Sequence, residues 1–383
     1  MKLRSLVINL TLLGISSLVS CCFAEVALRL VYPQPLDAAY VWPDGTLRHL
    51  PSFRYTYTRK GFSNDVSYNA LGLRGHEVAA AKAPGTTRLV FLGDSFVEGK
   101  QVADDEVITA VLERLALERG FQLEVVNAGV GGYGTGDELL LWQNAVAVLR
   151  PDIVLVGFFP NDARNAVDRA FFDVKDGRVV QIGEPPRPRV RWLYEVQKFL
   201  VSRSHVGYLV KNAALSLQAE VPGPPRTVDA GSRTVSLLED EDVFAVDASP
   251  RVSRGWTLAL AMLGELRRRV ESQRARFAVV AFPNRYQADD ALWKAHTERL
   301  GLDPADFDLR TPQRRLAEWS AESGTMVIDL LSAFRERNRD DSFYHARDAH
   351  WNAAGHRRAA EGLLRELNAR GLLAAPPDQR ASS

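Results

Sequence analysis

Three residue types set out what this chain can do: a serine, a histidine and an aspartate, each placed where chemistry would need it. Ser95 closes the run Arg88-Leu89-Val90-Phe91-Leu92-Gly93-Asp94-Ser95, in which bulky apolar residues stop at Gly-Asp-Ser. Such a run reads as a buried strand, and the residues just past it fall at the carboxyl edge of a sheet, where open α/β folds bind ligands. Far downstream, Asp348-Ala349-His350-Trp351-Asn352 offers a carboxylate and an imidazole two positions apart, just ahead of a helical stretch. A serine hydroxyl becomes a working nucleophile when an imidazole takes its proton and a carboxylate fixes the imidazole's tautomer. Ser95, His350 and Asp348 therefore point to nucleophilic acyl chemistry.

The elements that must position these side chains follow an alternating pattern. Residues 88–93 read as a strand, about 104–119 as a helix, 122–127 as a strand, about 135–149 as a helix and 152–159 as a strand. After an interruption come a helix at 254–272, a strand at 276–282, a helix at about 311–323, a strand at 325–330 and a helix at about 353–369. Short apolar strands separated by amphipathic helices predict a mostly parallel sheet covered by helices on both faces, an α/β class fold. The interruption, about 164–253, is too long for a structureless loop, so it is expected to be an insertion with its own elements. Within it Phe171 to Val180 reads as a hairpin turning at Asp176-Gly177, followed by the Pro-rich Glu184 to Pro188, an amphipathic stretch from Trp192 to Leu217 and the Pro222 to Pro225 cluster. Its two readings are a lid or substrate-facing subdomain, and a surface excursion without catalytic use. Residues 33–87 are Tyr- and Pro-punctuated and read as an irregular lead-in contributing a strand or two; 88–372 form the main domain and 373–383 a flexible tail.

Composition narrows the class of protein. Of 383 residues, 46% are hydrophobic and 25% charged, which is ordinary globular material able to bury a core. Lys plus Arg number 48 against 47 Asp plus Glu, and a net charge of +1 gives no case for a nucleic-acid or acidic partner. Cys21 and Cys22 both fall in the N-terminal apolar segment, so the folded body has no disulfide and no cysteine metal site. The segment itself, Leu6 to Ala24, carries no charge, follows Lys2 and Arg4, and ends at Glu25. Its length suits a membrane span with the rest of the chain on the periplasmic or outer side. Residues 1–32 are thus expected to be a retained anchor, a signal peptide cut near Ala24, or a lipoprotein signal with Leu18-Val19-Ser20-Cys21 as a lipobox.

Four blocks of residues, taken together and in order, resemble those of the SGNH (GDSL-type) hydrolase superfamily. They are Gly93-Asp94-Ser95; Asn127-Ala128-Gly129-Val130-Gly131-Gly132-Tyr133-Gly134; Gly157-Phe158-Phe159-Pro160-Asn161-Asp162; and Asp348-Ala349-His350-Trp351-Asn352. The resemblance implies a three-layer α/β/α, flavodoxin-like fold, with Ser95 as nucleophile, His350 as base and Asp348 as its acid partner. It also implies an oxyanion hole made by the backbone N–H of Gly132 and the side chain of Asn161, beside the N–H of Ser95. No metal and no cofactor is implied. Two features depart from the family pattern. Asp348 and His350 are separated by one residue where the family usually has two, a shorter spacing that, with Trp351, is similar to SGNH-like proteins that O-acetylate exported polysaccharides. The glycine-rich run leaves the oxyanion glycine open between Gly131 and Gly132. The Gly-x-Ser-x-Gly elbow of another hydrolase class is absent, because Val97 occupies its last position.

Each residue also has a plainer use. Ser95 would serve as a helix N-cap, Asn161 and Asp162 would cap a turn, and Asp94 is expected to be structural, pointing away from the nucleophile. His345 and His356 match no block and are expected in surface or capping roles. Tyr133 and Trp351 would either line the acyl or alcohol site or pack in the core. Three functions follow from the resemblance: a serine esterase acting on acyl esters, acetyl first among them; an O-acyltransferase moving acetyl groups onto an exported polysaccharide; and a non-catalytic envelope scaffold. The expected partners are an ester or acetylated glycan substrate and, through residues 1–32, the membrane.

Overall fold

The computed structural model of the protein describes residues 2–32, 34, 36, 39–59, 61–168, 171–183, 192, 195–196, 200, 202–218, 227–230, 233–236, 241–336 and 342–373. Pro33, Pro35, the Pro-rich Glu184 to Pro188, the Pro222 to Pro225 cluster and the tail beyond residue 373 lie outside the described residues. The chain forms two compact units, residues 1–40 with 188–223, and residues 41–187 with 224–383.

The larger unit is built on five strands: β1 (Thr87–Gly93), β2 (Leu123–Gly129), β3 (Ile153–Phe158), β4 (Arg276–Ala281) and β5 (Met326–Asp329). Every pairing among them is parallel, and the order across the sheet is β5-β4-β3-β1-β2. This 2-1-3-4-5 order is the flavodoxin-like one, in which the chain reverses direction across the sheet between β1 and β3. Helices in chain order are α1 (Lys2–Val31), α2 (Ser95–Glu98), α3 (Ile108–Glu118), α4 (Thr135–Leu141), α5 (Asp162–Asp168), α6 (His205–Gln218), α7 (Pro250–Ser272), α8 (Arg285–Ala288), α9 (Asp290–Leu300), α10 (Thr311–Ser323), α11 (Leu331–Arg335) and α12 (Ala353–Ala369).

Alternation along the strands explains the three layers. Leu89 and Phe91 of β1 cluster with Val111 and Leu112 of α3 and Leu363 and Leu367 of α12. Their neighbours Val90 and Leu92 cluster on the other side with Leu139 of α4 and Leu263 and Leu266 of α7. Successive strand side chains point to opposite faces, so a continuous apolar run is what a sheet covered on both sides requires. Each such Leu or Val contributes about 1.5–3 kcal/mol through burial.

Several boundaries differ from the sequence expectation for local reasons. The stretch expected as one helix at about 135–149 is α-helical only to Leu141, then widens into a π-turn (Trp142–Val146) and tightens into a 3₁₀ turn (Ala147–Leu149) that ends at Arg150 with φ 48°. Helices α8 and α9 were not expected, because their buried face is only Tyr286, Gln287, Ala288, Trp293, His296 and Thr297, half of them polar. The lead-in is more regular than its composition suggests: Arg54–Arg59 and Phe62–Ser67 pair as an antiparallel hairpin in full register. In the insertion, Phe172–Lys175 and Arg178–Gln181 form the expected hairpin, and Asp176 and Gly177 both take positive φ, as a tight hairpin turn demands.

In the smaller unit α1 packs against α6. Arg4–Val31 is long and apolar enough to cross a membrane by length and composition, and none of its most apolar window is buried.

Candidate active site

The carboxyl ends of β1, β2 and β3 meet at the reversal point, the place where sheets of this order bind ligands. Gly93, Gly129 and Gly157 lie side by side there in register. A Cβ on Gly93 would come within 2.4 Å of Val97, on Gly129 within 2.4 Å of the Glu98 nitrogen, and on Gly157 within 2.4 Å of Phe282. The glycine row lets α2 and Phe282 settle directly onto the strand ends, which brings Ser95 to the rim.

Asp94 caps α2, its Oδ1 accepting from the Phe96 N–H at 2.9 Å, and Ser95 is the first helical residue. Asp94 is therefore structural, as expected, and Ser95 is spared the capping role. Across from it, the Ser95 hydroxyl lies 2.7 Å from His350 Nε2. His350 Nδ1 is hydrogen-bonded to Asp348 Oδ1, which also accepts from the His350 backbone N–H at 2.9 Å. With the carboxylate on Nδ1, the ring keeps its proton there and presents the Nε2 lone pair to the hydroxyl. Burial would raise the Asp348 carboxyl, but the hydrogen bond and charge of His350 outweigh it and hold it below the usual range. The shortened spacing is accommodated because one carboxylate oxygen serves both the ring and the backbone of His350. Behind the ring stand Phe96, with its centroid 4.9 Å from that of His350, and the wholly buried Trp351.

The loop after β2 holds its two candidate glycines differently. Gly131 lies beside Ser95, and its N–H is donated to Glu98 Oε2 at 2.7 Å. Gly132 follows with φ 78°, is exposed, and no described group accepts from its N–H. The loop is tied to α5 through Asn165, which donates to the Tyr133 carbonyl at 3.0 Å. Asn161 sits just past β3, partly exposed, its Oδ1 without a hydrogen-bond partner among the described residues.

Other residues singled out in the sequence serve the fold. Of its two expected roles His356 takes the capping one: it is buried, its Nδ1 accepts from the Ile108 N–H at the start of α3, and burial together with Arg74 pushes its ring down to about 3. His345 is partly buried, lies 3.2 Å from the Gln101 carbonyl and rests on Phe62. Tyr133 and Trp351 are core residues, the Tyr133 hydroxyl being donated to the Leu47 carbonyl.

Two buried clusters were not legible beforehand. Glu98, wholly buried, is met by the Tyr68 hydroxyl at 2.7 Å, His49 Nε2 at 2.7 Å, the Gly131 N–H and Lys100 at 3.5 Å. Burial would raise its carboxyl, but Lys100 and His49 overcome this and hold it well below the usual range. The lead-in supplies His49 and Tyr68, and its Arg74 donates to the Glu98 carbonyl at 2.8 Å. The second cluster is Asp94, Glu138 and Asp162, all buried. Burial raises Asp94 to about 6, and burial with mutual repulsion raises Glu138 and Asp162 well above the usual range. Among the described residues no group of His, Cys, Asp and Glu has a metal-binding arrangement.

Parts of the chain are similar to known proteins. The family model for the SGNH hydrolase-like domain of acetyltransferase AlgX matches residues 240–382, which contain Asp348 and His350. Comparison with curated proteins finds no match. Among solved structures, a lipase/acylhydrolase from Enterococcus faecalis is 14% identical, with 76% of this chain and 98% of that one covered and a TM-score of 0.41. An acetylxylan esterase from Geobacillus stearothermophilus is 15% identical, with 75% and 96% covered and a TM-score of 0.41. The parallel 2-1-3-4-5 sheet is of the flavodoxin-like kind, and over residues 240–382 the chain is similar to the SGNH hydrolase-like domain of acetyltransferase AlgX.

Proposed function

We propose that the protein cleaves acyl esters, acetyl esters first among them, through an acyl-enzyme on Ser95. The observation that carries this reading is the 2.7 Å approach of the Ser95 hydroxyl to His350 Nε2, with Asp348 on the far nitrogen. Ser95 Oγ bonds to the ester carbonyl carbon while its proton passes to His350. The tetrahedral oxyanion is received by the N–H groups of Ser95 and Gly132 and the amide of Asn161. Collapse breaks the bond to the alcohol oxygen, which leaves with the proton from His350. Water then gives its proton to His350, attacks the acyl carbon and releases the acid, and the proton returns to Ser95. Fixed donors at the oxyanion are worth about 10²–10³ in turnover each.

A second reading replaces water by a sugar hydroxyl, so that the acyl group is transferred to a polysaccharide. The match of residues 240–382 to a family described by acetyltransferase AlgX favours it. We read α1 as a retained anchor that holds the enzyme at the outer face of a membrane. p-Nitrophenyl acetate, offered with and without an oligosaccharide, tests both readings. Ser95-dependent release giving free acetate supports hydrolysis, and acetate found by mass on the oligosaccharide supports transfer. Release that persists undiminished in Ser95→Ala would refute the acyl-enzyme.

A further inference from the structure

The smaller unit holds a segment at a fixed level relative to the end of α1. The Glu25 carboxylate accepts from the Ser204 hydroxyl at 2.8 Å and from the N–H groups of His205 and Val206 at 3.1 and 3.0 Å. Arg29 donates to the Arg203 carbonyl at 2.8 Å, and the Gln34 N–H to His205 Nδ1 at 2.7 Å. The start of α6 is thus pinned to the last two turns of α1. The uncharged run from Leu6 to Ala24 spans about 28 Å as a helix at ~1.5 Å per residue, close to the ~30 Å hydrocarbon core. Glu25 and Ser204–Val206 consequently sit at the boundary between lipid and water.

The helical residues just before that pin are distributed the wrong way for water. Trp192, Val196 and Leu200 are each helical and recur every four positions, the spacing of one helix face. They are 66%, 49% and 48% exposed, whereas the polar Ser202 is 3% exposed. Val210 of α6 is also exposed. A water-facing helix turns its apolar stripe inward and its serines out; here the assignment is reversed. Apolar faces of this kind on a soluble surface mark an interaction site, and tryptophan favours the headgroup level of a bilayer.

We propose that the face carrying Trp192, Val196 and Leu200 lies in the lipid interface at the outer end of α1, as a second membrane contact within the insertion. The proposal rests on the reading of α1 as a retained anchor. The occupant is lipid because Glu25 and Arg29 fasten this segment to the helix end that would emerge from the bilayer. The remainder of the site machinery plays no part in it.

The test uses the full chain, with α1 verified by mass, in phosphatidylcholine and phosphatidylglycerol vesicles whose acyl chains are brominated near the headgroup. The difference in emission between wild type and Trp192→Phe isolates Trp192 from the other tryptophans. The expected result is loss of most of that difference emission with brominated lipid and little loss with aqueous iodide. Quenching by iodide alone overturns the proposal, and so does protection from both quenchers, which a second copy or a protein partner would give. Retention of the chain by the vesicles at alkaline pH reports on α1 separately, so a failed anchor and a failed contact are told apart. Leu200→Asp, placed on the same face, should shift Trp192 emission to the red in vesicles; an unchanged spectrum would also count against the contact.

Discussion

The two units of this protein treat the same side chain in opposite ways. In the larger one Leu89, Leu92 and Leu363 are wholly buried; in the smaller one Leu12, Leu13 and Leu18 are each more than half exposed. Neither pattern is a defect. Leu363 lies on an amphipathic helix whose polar face includes Arg357 and Glu361, so water selects which side turns in. The leucines of α1 lie on a helix with no charged residue for about five turns, and among the described residues they stay exposed. The difference teaches that in this chain an apolar side chain is buried where its helix has a polar face to turn outward, as in the larger unit, and is left exposed where it has none, as along α1.

That contrast can be broken or sharpened by substitution. The largest effect is expected at the rim of the larger unit: His350→Ala should lower p-nitrophenyl acetate turnover by at least about 10³-fold. Its melting temperature should stay near wild type, since His350 is partly exposed. Next comes Glu98→Gln, which leaves His49 and Lys100 without their buried counter-charge; a loss of about 3–5 kcal/mol in denaturant unfolding is expected. Leu92→Ala should cost about 2–5 kcal/mol in the same measurement, whereas Leu13→Ala should leave the unfolding midpoint of the larger unit unchanged. Equal costs for these two would erase the contrast.

The smallest effect concerns the acids behind Ser95. Glu138 and Asp162 are held protonated above the usual carboxylate range, first by burial and then by neighbouring carboxylates. The folded protein therefore keeps protons that the unfolded chain has released. The stability from this source is complete below the ordinary carboxylate pKa and is lost as pH rises through the folded values. Thermal unfolding at about pH 5 and about pH 9 should show a smaller drop for Glu138→Gln than for wild type. An unaltered drop would mean that the two acids are ionised in the fold.

Legibility followed pattern length. β1 to β5 were readable because each is an apolar run too short for a helix and bounded by turn residues. The helix at 353–369 matched its expected bounds because Asn352 caps it and its apolar spacing is regular. Ser95, His350, Asp348, Gly132 and Asn161 were readable as local motifs; their roles remain those proposed above. Glu98 was not, because nothing local distinguishes a buried glutamate from an exposed one. Its partners His49 and Tyr68 lie 49 and 30 positions upstream, so no window of the sequence displays them together. The contact of the insertion with α1 was hidden for a related reason: Glu25 lies far upstream of Ser204, which it accepts from.

The Glu98 cluster also limits how the protein can be shortened. A version starting at the first sheet strand would keep all five strands, Ser95 and His350, yet would lack His49, Tyr68 and Arg74. Gly131 would then hang on a carboxylate opened to water, and the loop after β2 would lose its brace. The irregular-looking stretch before the sheet is a working part, and a functional soluble form has to keep the chain from residue 41 onward.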